Sequence, residues 1–519
     1  MAISLGDRLR QVVSGTVPRV APDAAVGDER TVGEQDPDGA RSLPSVGRAA
    51  GARLDGARVA NVLAGEWVEC AEGAVLVVDR YYAADRLHGH ARIGAVVGIL
   101  EGGLDALGVL GRAWPHPANP QRQNKTPPQD TRHIEDGDSQ APRHPQEWPI
   151  APLLHPPNGQ STQRPRPVPL PRREPRQYTP QLCFFDLETT GLAGGAGTQA
   201  FLVGCAVLED GGIRVRQFLL PGFEHERALL CLVGEWLTSQ GTIVTFNGRS
   251  FDLPLIETRY LLHRLTFPFG DMPHLDMLHP ARRLWKQRPT IAGPALDDDS
   301  CKLSVLERHL AGYHRVGDVP GFEIPSRYFR FVRDGEARPL EAVLEHNRID
   351  LISLALVTAK AIALIDQGPG ATAHPREALG LGRLYERSGA AENAEACFAQ
   401  AASLAARVGR EPDVHAEALR QLALCRRRAG RMADAAEAWQ QLVSVPSCPS
   451  ILRREAREAL AIHHEHRSRD LQSARTFVLD VLAEGAGSRL RERAEYRLLR
   501  LERKMAVREQ GGLMAALEE

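Results

Sequence analysis

Beyond residue 180 the apolar positions follow two alternating rhythms. QLCFFDLE (181–188), FLVGCAVLE (201–209) and IRVRQFLLPG (213–222) are short runs rich in Phe, Val, Leu and Ile, separated by turn residues. They predict three consecutive strands of a β-meander. HERALLCLVGEWLTSQG spaces its apolar residues three and four apart and ends at Gly241, which predicts a helix. GTIVTFNG predicts a further strand. FDLPLIETRYLLHRL predicts a helix that carries Pro254 in its first turn, where proline is tolerated. HLDML reads as a short strand, and KLSVLERHLAG and LEAVLEHNRIDLISLALVTAKAIALI read as helices. Strands followed by alternating strands and helices define an α/β domain over 182–367, a mixed sheet flanked by helices.

From residue 375 strand signals vanish and Ala, Leu, Arg and Glu dominate. LGRLYERSGAAENAEACFAQA places Leu381, Gly382, Tyr385, Ala394, Phe398 and Ala401 at tetratricopeptide-like spacings. A second unit aligns Gly430 with Gly389, Ala435 with Ala394 and Trp439 with Phe398. A third runs through Ala474 and Val478, and RLRERAEYRLLRLERK reads as a capping helix. In such a repeat, small residues let paired helices approach and an aromatic fills the gap, so each unit buries its face against the next. The all-α repeat region is expected over 375–505, with 506–519 as a tail.

Upstream, residues 1–50 are rich in Ala, Gly, Asp and Arg without periodicity and are expected to be disordered. VLVVDRYYA (75–83) suggests a small β element inside an otherwise poorly defined region, 1–113. Residues 114–181 are dense in Pro, Gln and Arg and read as an extended linker. Its arginines at 164–176 are placed to touch nucleic-acid backbone, but a solvated tether is the better reading.

A chain of 519 residues fits this division into about three domains. The net charge of −1 argues neither for nor against a nucleic-acid partner. The eight cysteines form no C-x-x-C pair and mostly sit in apolar runs, so they read as reduced thiols without a disulfide framework or zinc site. The N-terminal stretch lacks the apolar core of a signal peptide. The most membrane-like stretch, 91–111, carries Arg92, Glu101 and Asp105. A cytoplasmic protein is expected.

The chemistry begins at CFFDLETTGLAGG (183–195). Side chains at i and i+2 of a strand share a face, so Asp186 and Glu188 point the same way. Two neighbouring carboxylates call for a cation between them, or else stand in solvent at a strand end. In TIVTFNGRSFD, Asp252 opens a helix, where a carboxylate meets free backbone N–H groups and the positive end of the helix dipole. In EHNRIDLISLALV, His346 and Asp350 are four apart and share a helix face. Each motif alone has an ordinary explanation: a solvated pair, an N-cap, a polar stripe.

Together, Asp186-x-Glu188, Asp252 and Asp350 resemble the D-x-E … D … D pattern of the DEDD exonuclease superfamily, which has the ribonuclease H-like fold. NGRSFD is similar to the second motif in exonuclease domains of family B DNA polymerases. FFDLETTGLAGGAGTQAFLVG, TFNGRSFDLPLIETRYLLHR, HLDMLHPARRLW, CKLSVLERHLAG, DVPGFEIPSRYF and EHNRIDLISLAL are similar to YprB-like ribonuclease H-like proteins. The resemblance covers about 182–365.

It implies a 3′-to-5′ exonuclease acting on single-stranded ends of DNA or RNA. Asp186, Glu188, Asp252 and Asp350 would hold two Mg²⁺ or Mn²⁺ ions that stabilise the attacking and leaving oxygens. The resemblance further implies a water-orienting His or Tyr near the last Asp. His346 stands four residues before Asp350, the spacing of the Tyr class with a His side chain, and Asn347 is a second hydrogen-bonding candidate. Thr189, Thr190, Gly191 and Leu192 follow the first acids, where related enzymes hold the terminal nucleotide; Asn247 and Phe251 are placed to touch sugar or base.

The glycines of GLAGGAGT lack a Walker lysine, so triphosphate binding is not expected. Asp276 reads as support for the site or as a cap. Arg259, His263, Arg264, Arg282, Arg283, Lys286 and Arg288 form a basic stretch suited to phosphate contact or to a solvated helix face. Asp297, Asp298 and Asp299 read as a loop. The competing reading is a catalytically weak nucleic-acid-binding or protein-interaction scaffold, with the helical repeats recruiting a protein partner in either case.

Overall fold

The computed structural model describes residues 55–113, 181–191, 197–268, 270, 272–286, 301–485 and 487–517. The disorder expected for 1–50, the linker over 114–180, Leu192, Arg288 and Asp297–Asp299 lie outside the described residues.

The chain enters with α1 (Gly56–Leu63), β1 (Glu66–Cys70), β2 (Gly73–Tyr82), a two-residue hairpin of β3 (Leu87–His88) and β4 (Ala91–Arg92), then α2 (Ile93–Gly102) and α3 (Leu104–Ala113). The α/β core follows as β5 (Leu182–Thr189), β6 (Ala200–Glu209), β7 (Gly212–Leu219), α4 (Glu226–Leu237), β8 (Thr242–Thr245), α5 (Asp252–Leu262), β9 (His274–Asp276), α6 (Leu278–Leu284), α7 (Leu303–Ala311), α8 (Ile324–Asp334) and α9 (Arg338–Gln367). Every strand and helix expected over 182–367 is present. α6 and α8 are additions; α8 begins within GFEIPSRYF, and its apolar residues Ile324, Tyr328 and Phe331 are buried.

The strands form one seven-stranded sheet in the order β1-β2-β7-β6-β5-β8-β9. β5, β6 and β7 are the antiparallel meander, while β8 runs parallel to β5 and β9 parallel to β8. The order corrects the expected domain division. β2 pairs antiparallel with β7 from Leu76↔Leu219 to Tyr82↔Ile213, so the region before residue 114 contributes two strands to the main sheet. Val75, Leu76, Val77 and Val78 are buried on both faces, which a strand inside a sheet requires and a free-standing hairpin does not allow.

Side chains of β5 divide between the two faces. Cys183, Phe185 and Leu187 enter a core shared with α1, α4, α5 and α8. Leu182 and Phe184 enter the other, under α2 and α9. The second core continues into the C-terminal helices α10 (Pro375–Ser388), α11 (Ala391–Val408), α12 (Pro412–Arg428), α13 (Met432–Val443) and α14 (Ser450–His463), while α15 (Leu471–Ala483) and α16 (Ser488–Leu517) bury a third cluster through Ala474, Val478, Val481, Ala494 and Leu501. Gly380 of α10 lies so close to α6 that a Cβ there would stand 2.1 Å from the Arg283 carbonyl oxygen. A Cβ at Gly382 would stand 2.6 Å from the Phe398 ring. The residues marked in the sequence as small or aromatic (Ala394, Phe398, Ala401, Ala435, Trp439, Ala474 and Val478) are all buried between helices.

Ion pairs join alternate helices of this stack: Arg383 to Glu417 at 2.8 Å, and Arg420 to Glu455 at 2.7 Å. Glu465 is buried against Arg497, Arg500 and Lys504 of α16. Burial alone raises its pKa, yet these three cations bring it down to about 2. α16 extends to Leu517, so the tail expected from 506 is mostly helix.

Candidate active site

The site lies where β5 leaves the core. Asp186 and Glu188 continue the face of Leu182 and Phe184 but stand at the end of the strand, half-buried, where core gives way to an opening. β5 and β8 are parallel neighbours, so the turn after β8 emerges beside them. Ligand sites form outside the carboxyl ends of parallel strands for this reason.

That turn is sharply built. Asn247 has a left-handed φ of 70°, which asparagine tolerates better than most residues. A Cβ on Gly248 would meet Thr245 at 2.5 Å. Asp276 accepts from the backbone N–H of Asn247 (2.8 Å), Arg249 (3.1 Å) and Leu278 (3.0 Å). Asp276, at the end of β9, therefore clamps the turn that delivers Asp252. The backbone N–H groups of Asp252 and Leu187 lie close enough to the Asp252 carboxylate to lower its pKa.

The last acid comes from α9, which packs across the same face with Leu351, Ile352, Leu354 and Ala355 in the core. Asn347, one turn before Leu351, donates to Asp186 Oδ2 at 2.8 Å. Gln217 of β7 donates to Asn347 Oδ1 at 2.8 Å. Space for this amide comes from Gly204, which pairs with Asp186 across β5 and β6; a Cβ there would lie 2.1 Å from Asn347 Oδ1. Gly204→Ala is expected to push Asn347 out of position and to cost about 1–3 kcal/mol of stability, with the loss read as a lowered Tm. Gly248→Ala is the comparison that disturbs the other side of the site.

Asp186 and Glu188 feel the charges of the other acids predicted from the motifs. Burial raises the pKa of Asp186 well above the usual carboxylate range, and Asp350, Glu188 and Asp252 add to it; Asn347 opposes the shift. Glu188 is likewise raised by burial and then by Asp350, Asp252 and Asp318. Asp252 is raised by burial to about 7, against the pull of its backbone hydrogen bonds. The displacement of Asp186 and Glu188 by neighbouring acids marks a cluster with more negative than positive charge, and hard oxygen donors of this kind suit Mg²⁺ or Mn²⁺. As the side chains stand, no group of three or more His, Cys, Asp or Glu among the described residues forms a ready ion cage. Asp350 is paired with Arg315 and Asp186 with Asn347.

His346 lies on the same side of α9 as Asp350, as its spacing predicts. Its Nδ1 is 2.6 Å from Asp318 Oδ1 and its Nε2 3.5 Å from Asp350 Oδ2. Burial raises the pKa of Asp318, but the His346 hydrogen bond and Arg315 hold it below the usual range.

Of the expected substrate contacts, Thr189 and Thr190 spend their hydroxyls locally. Thr189 Oγ1 donates to the Gly191 carbonyl (2.9 Å), and Thr190 Oγ1 accepts from the Gln199 N–H (3.0 Å). They shape the loop mouth, with Gly191 half-buried. Phe251, beside Asp252, is 59% exposed. The expected basic stretch is partly turned inward: Arg259 and His263 bind the buried Glu226, with His263 at 2.8 Å. Arg282 and Lys286 remain exposed.

Glu307, Arg315, Asp318, Ser353 and His88 were not singled out from the sequence. Glu307, Asp318 and Ser353 fall inside segments that carry the family resemblance, but none is one of its motif acids, and the five meet only through the fold.

A family model of the RNase H superfamily matches residues 183–362, so the domain that bears this site is RNase H-like, and such membership suggests a nuclease acting on nucleic acid with divalent metals. The chain is also 31% identical over 328 residues to YprB of Bacillus subtilis (strain 168), an uncharacterized protein; the match spans 62% of this chain and 75% of YprB. The chain belongs to the YprB family. Among the described residues, no helix is long and apolar enough to cross a membrane.

Proposed function

We propose that this chain is a DEDD-type exonuclease that removes nucleotides from the 3′ end of single-stranded DNA or RNA. The observation that carries the reading is the convergence of Asp186, Glu188, Asp252 and Asp350 at the ends of β5 and β8 and on α9, where Asp350, Glu188 and Asp252 raise the pKa of Asp186, and Asp350 and Asp252 raise that of Glu188. Carboxylates under such repulsion are poised to take cations. Asp186, Glu188, Asp252 and Asp350 would hold two Mg²⁺ or Mn²⁺ ions; bound there, the ions supply an acidified water and charge neutralisation at the departing 3′-oxygen.

The chain's own groups do the rest. Asn347 fixes the Asp186 carboxylate through Nδ2. In the tautomer with Nδ1–H donating to Asp318, His346 keeps Nε2 available to accept a proton from water. The exposed ring of Phe251 offers a stacking face for a base, a contact that tolerates any sequence. Thr189, Thr190, Gly191 and Asn247 border the same opening and contact the terminal nucleotide, a role that the motif extends to Leu192. The C-terminal stack is a tetratricopeptide-like module that recruits a protein partner, and the expected setting is cytoplasmic.

The Arg315–Asp350 pair favours one second reading, a nucleic-acid-binding scaffold with little catalysis, because it occupies an acid that an ion would need. Oligonucleotides labelled at the 5′ end separate the two. With Mn²⁺, the exonuclease yields a ladder shortened from the 3′ end and EDTA abolishes it. Intact oligonucleotide across DNA, RNA, Mg²⁺ and Mn²⁺ would leave the scaffold, and cuts confined to internal positions would indicate an endonuclease.

A further inference from the structure

The loop between α7 and α8 sends one guanidinium into the acidic cluster. The Arg315 side chain is 9% exposed, although its neighbour Val316 is 97% exposed. Its back edge is gripped by Glu307: Nε to Oε1 at 2.5 Å and Nη2 to Oε2 at 2.9 Å. Its front edge meets Asp318 through Nη1 at 3.1 Å and Asp350 through Nη2. The planar fork of arginine serves both edges at once.

Glu307 is itself fixed. Ser353 Oγ donates to Glu307 Oε2, and His88 Nε2 lies 2.9 Å from Ser353 Oγ. His88 stacks on Tyr313 with centroids 3.9 Å apart. The β3–β4 hairpin also grips the start of the loop: His90 N–H donates to the Ala311 carbonyl at 2.6 Å. Arg315 thus stands on a braced carboxylate while its other edge faces two acids of the site.

We propose that Arg315 is the resident cation of this site, holding Asp350 while no divalent ion is bound and, once ions take Asp350, turning the same N–H groups to a substrate phosphate. An oxygen that accepts from a guanidinium is not free to ligate an ion, so ion entry must displace this contact. The freed N–H groups then face an opening into which an anion enters, and Glu307 keeps the guanidinium from following Asp350. Arg315 pairs well with phosphate because its outer edge presents two donors side by side.

The inference rests on the nuclease reading, and the test keeps the two apart. Mn²⁺ binding is measured by calorimetry without nucleic acid, and binding of a fluorescent single-stranded oligonucleotide by anisotropy in Ca²⁺. Glu307→Gln/Arg315→Gln removes the guanidinium while leaving a neutral hydrogen-bonded pair that folds; Arg315→Lys keeps the charge and loses the fork. The double variant is expected to bind Mn²⁺ about tenfold tighter than the natural protein, and both variants to bind the oligonucleotide at least about tenfold more weakly. An Mn²⁺ affinity unchanged or weakened in the double variant, or an oligonucleotide affinity unchanged in both, overturns the role of Arg315 while leaving the nuclease reading intact. A natural protein that binds no Mn²⁺ overturns the nuclease reading, and this inference falls with it.

Discussion

Asp186→Asn is expected to abolish nuclease activity, by roughly a thousandfold or more, while making the metal-free protein more stable by about 0.5–2 kcal/mol. The two effects have one cause. Burial and three like-charged neighbours raise the Asp186 pKa on folding, so its ionised form is disfavoured in the folded chain. A carboxyl whose folded pKa lies above its unfolded value weakens the fold as pH rises from the unfolded pKa, about 4, to the folded one; above that the cost is constant. Asparagine carries no such charge and still accepts from Asn347. In EDTA, the gain in Tm over the natural protein should grow from pH 5 to pH 8. Excess Mg²⁺ should reverse the order, because only the natural protein gains the ion. Equal or lower Tm for Asp186→Asn at pH 8 without metal would mean that the four acids do not share a field.

The acids were legible because each sits at a position with a local signature. Asp186 and Glu188 end an apolar strand at spacing two, Asp252 opens a helix after a turn, and His346 and Asp350 share a helical face. Asn347 was recognised as a hydrogen-bonding candidate, and the structure gives it Asp186 as partner. What could not be read was contact between segments distant in sequence. Gly204 is one glycine inside a strand until the fold brings Asn347 over it. His88 and Ser353 are 265 residues apart, and neither carries a motif. Arg315 follows an ordinary helix C-cap glycine, and nothing in HRVGD marks it for burial. The basic stretch misled for the same reason in reverse. Arg259 and His263 have the composition of a phosphate-binding face, but Glu226, 33 and 37 residues upstream, draws them inward.

Removing residues 1–113 should leave a chain that does not fold, even though the superfamily match begins only at residue 183. Deletion strips β7 of one of its two neighbours, β2, from Ile213 to Leu219 and uncovers both faces of the sheet. It also removes Val75, Leu76, Val77, Val78, Tyr82, Ile93, Val96, Val97 and Leu100 from the two cores. At about 1.5–3 kcal/mol for each buried side chain of this size, the loss is on the order of 15 kcal/mol or more. Whole domains are stable by about 5–15 kcal/mol, so the remainder has no margin. Removing residues 1–54 leaves these contacts untouched and should have little effect on Tm. The comparison is made by soluble yield, near-ultraviolet circular dichroism and thermal unfolding of the two truncated chains. A chain beginning at residue 114 that unfolds cooperatively near the natural Tm would show that β1 and β2 decorate the sheet. Loss of folding would establish them as part of it, and would explain why the hairpin bearing His88 can brace the loop of Arg315.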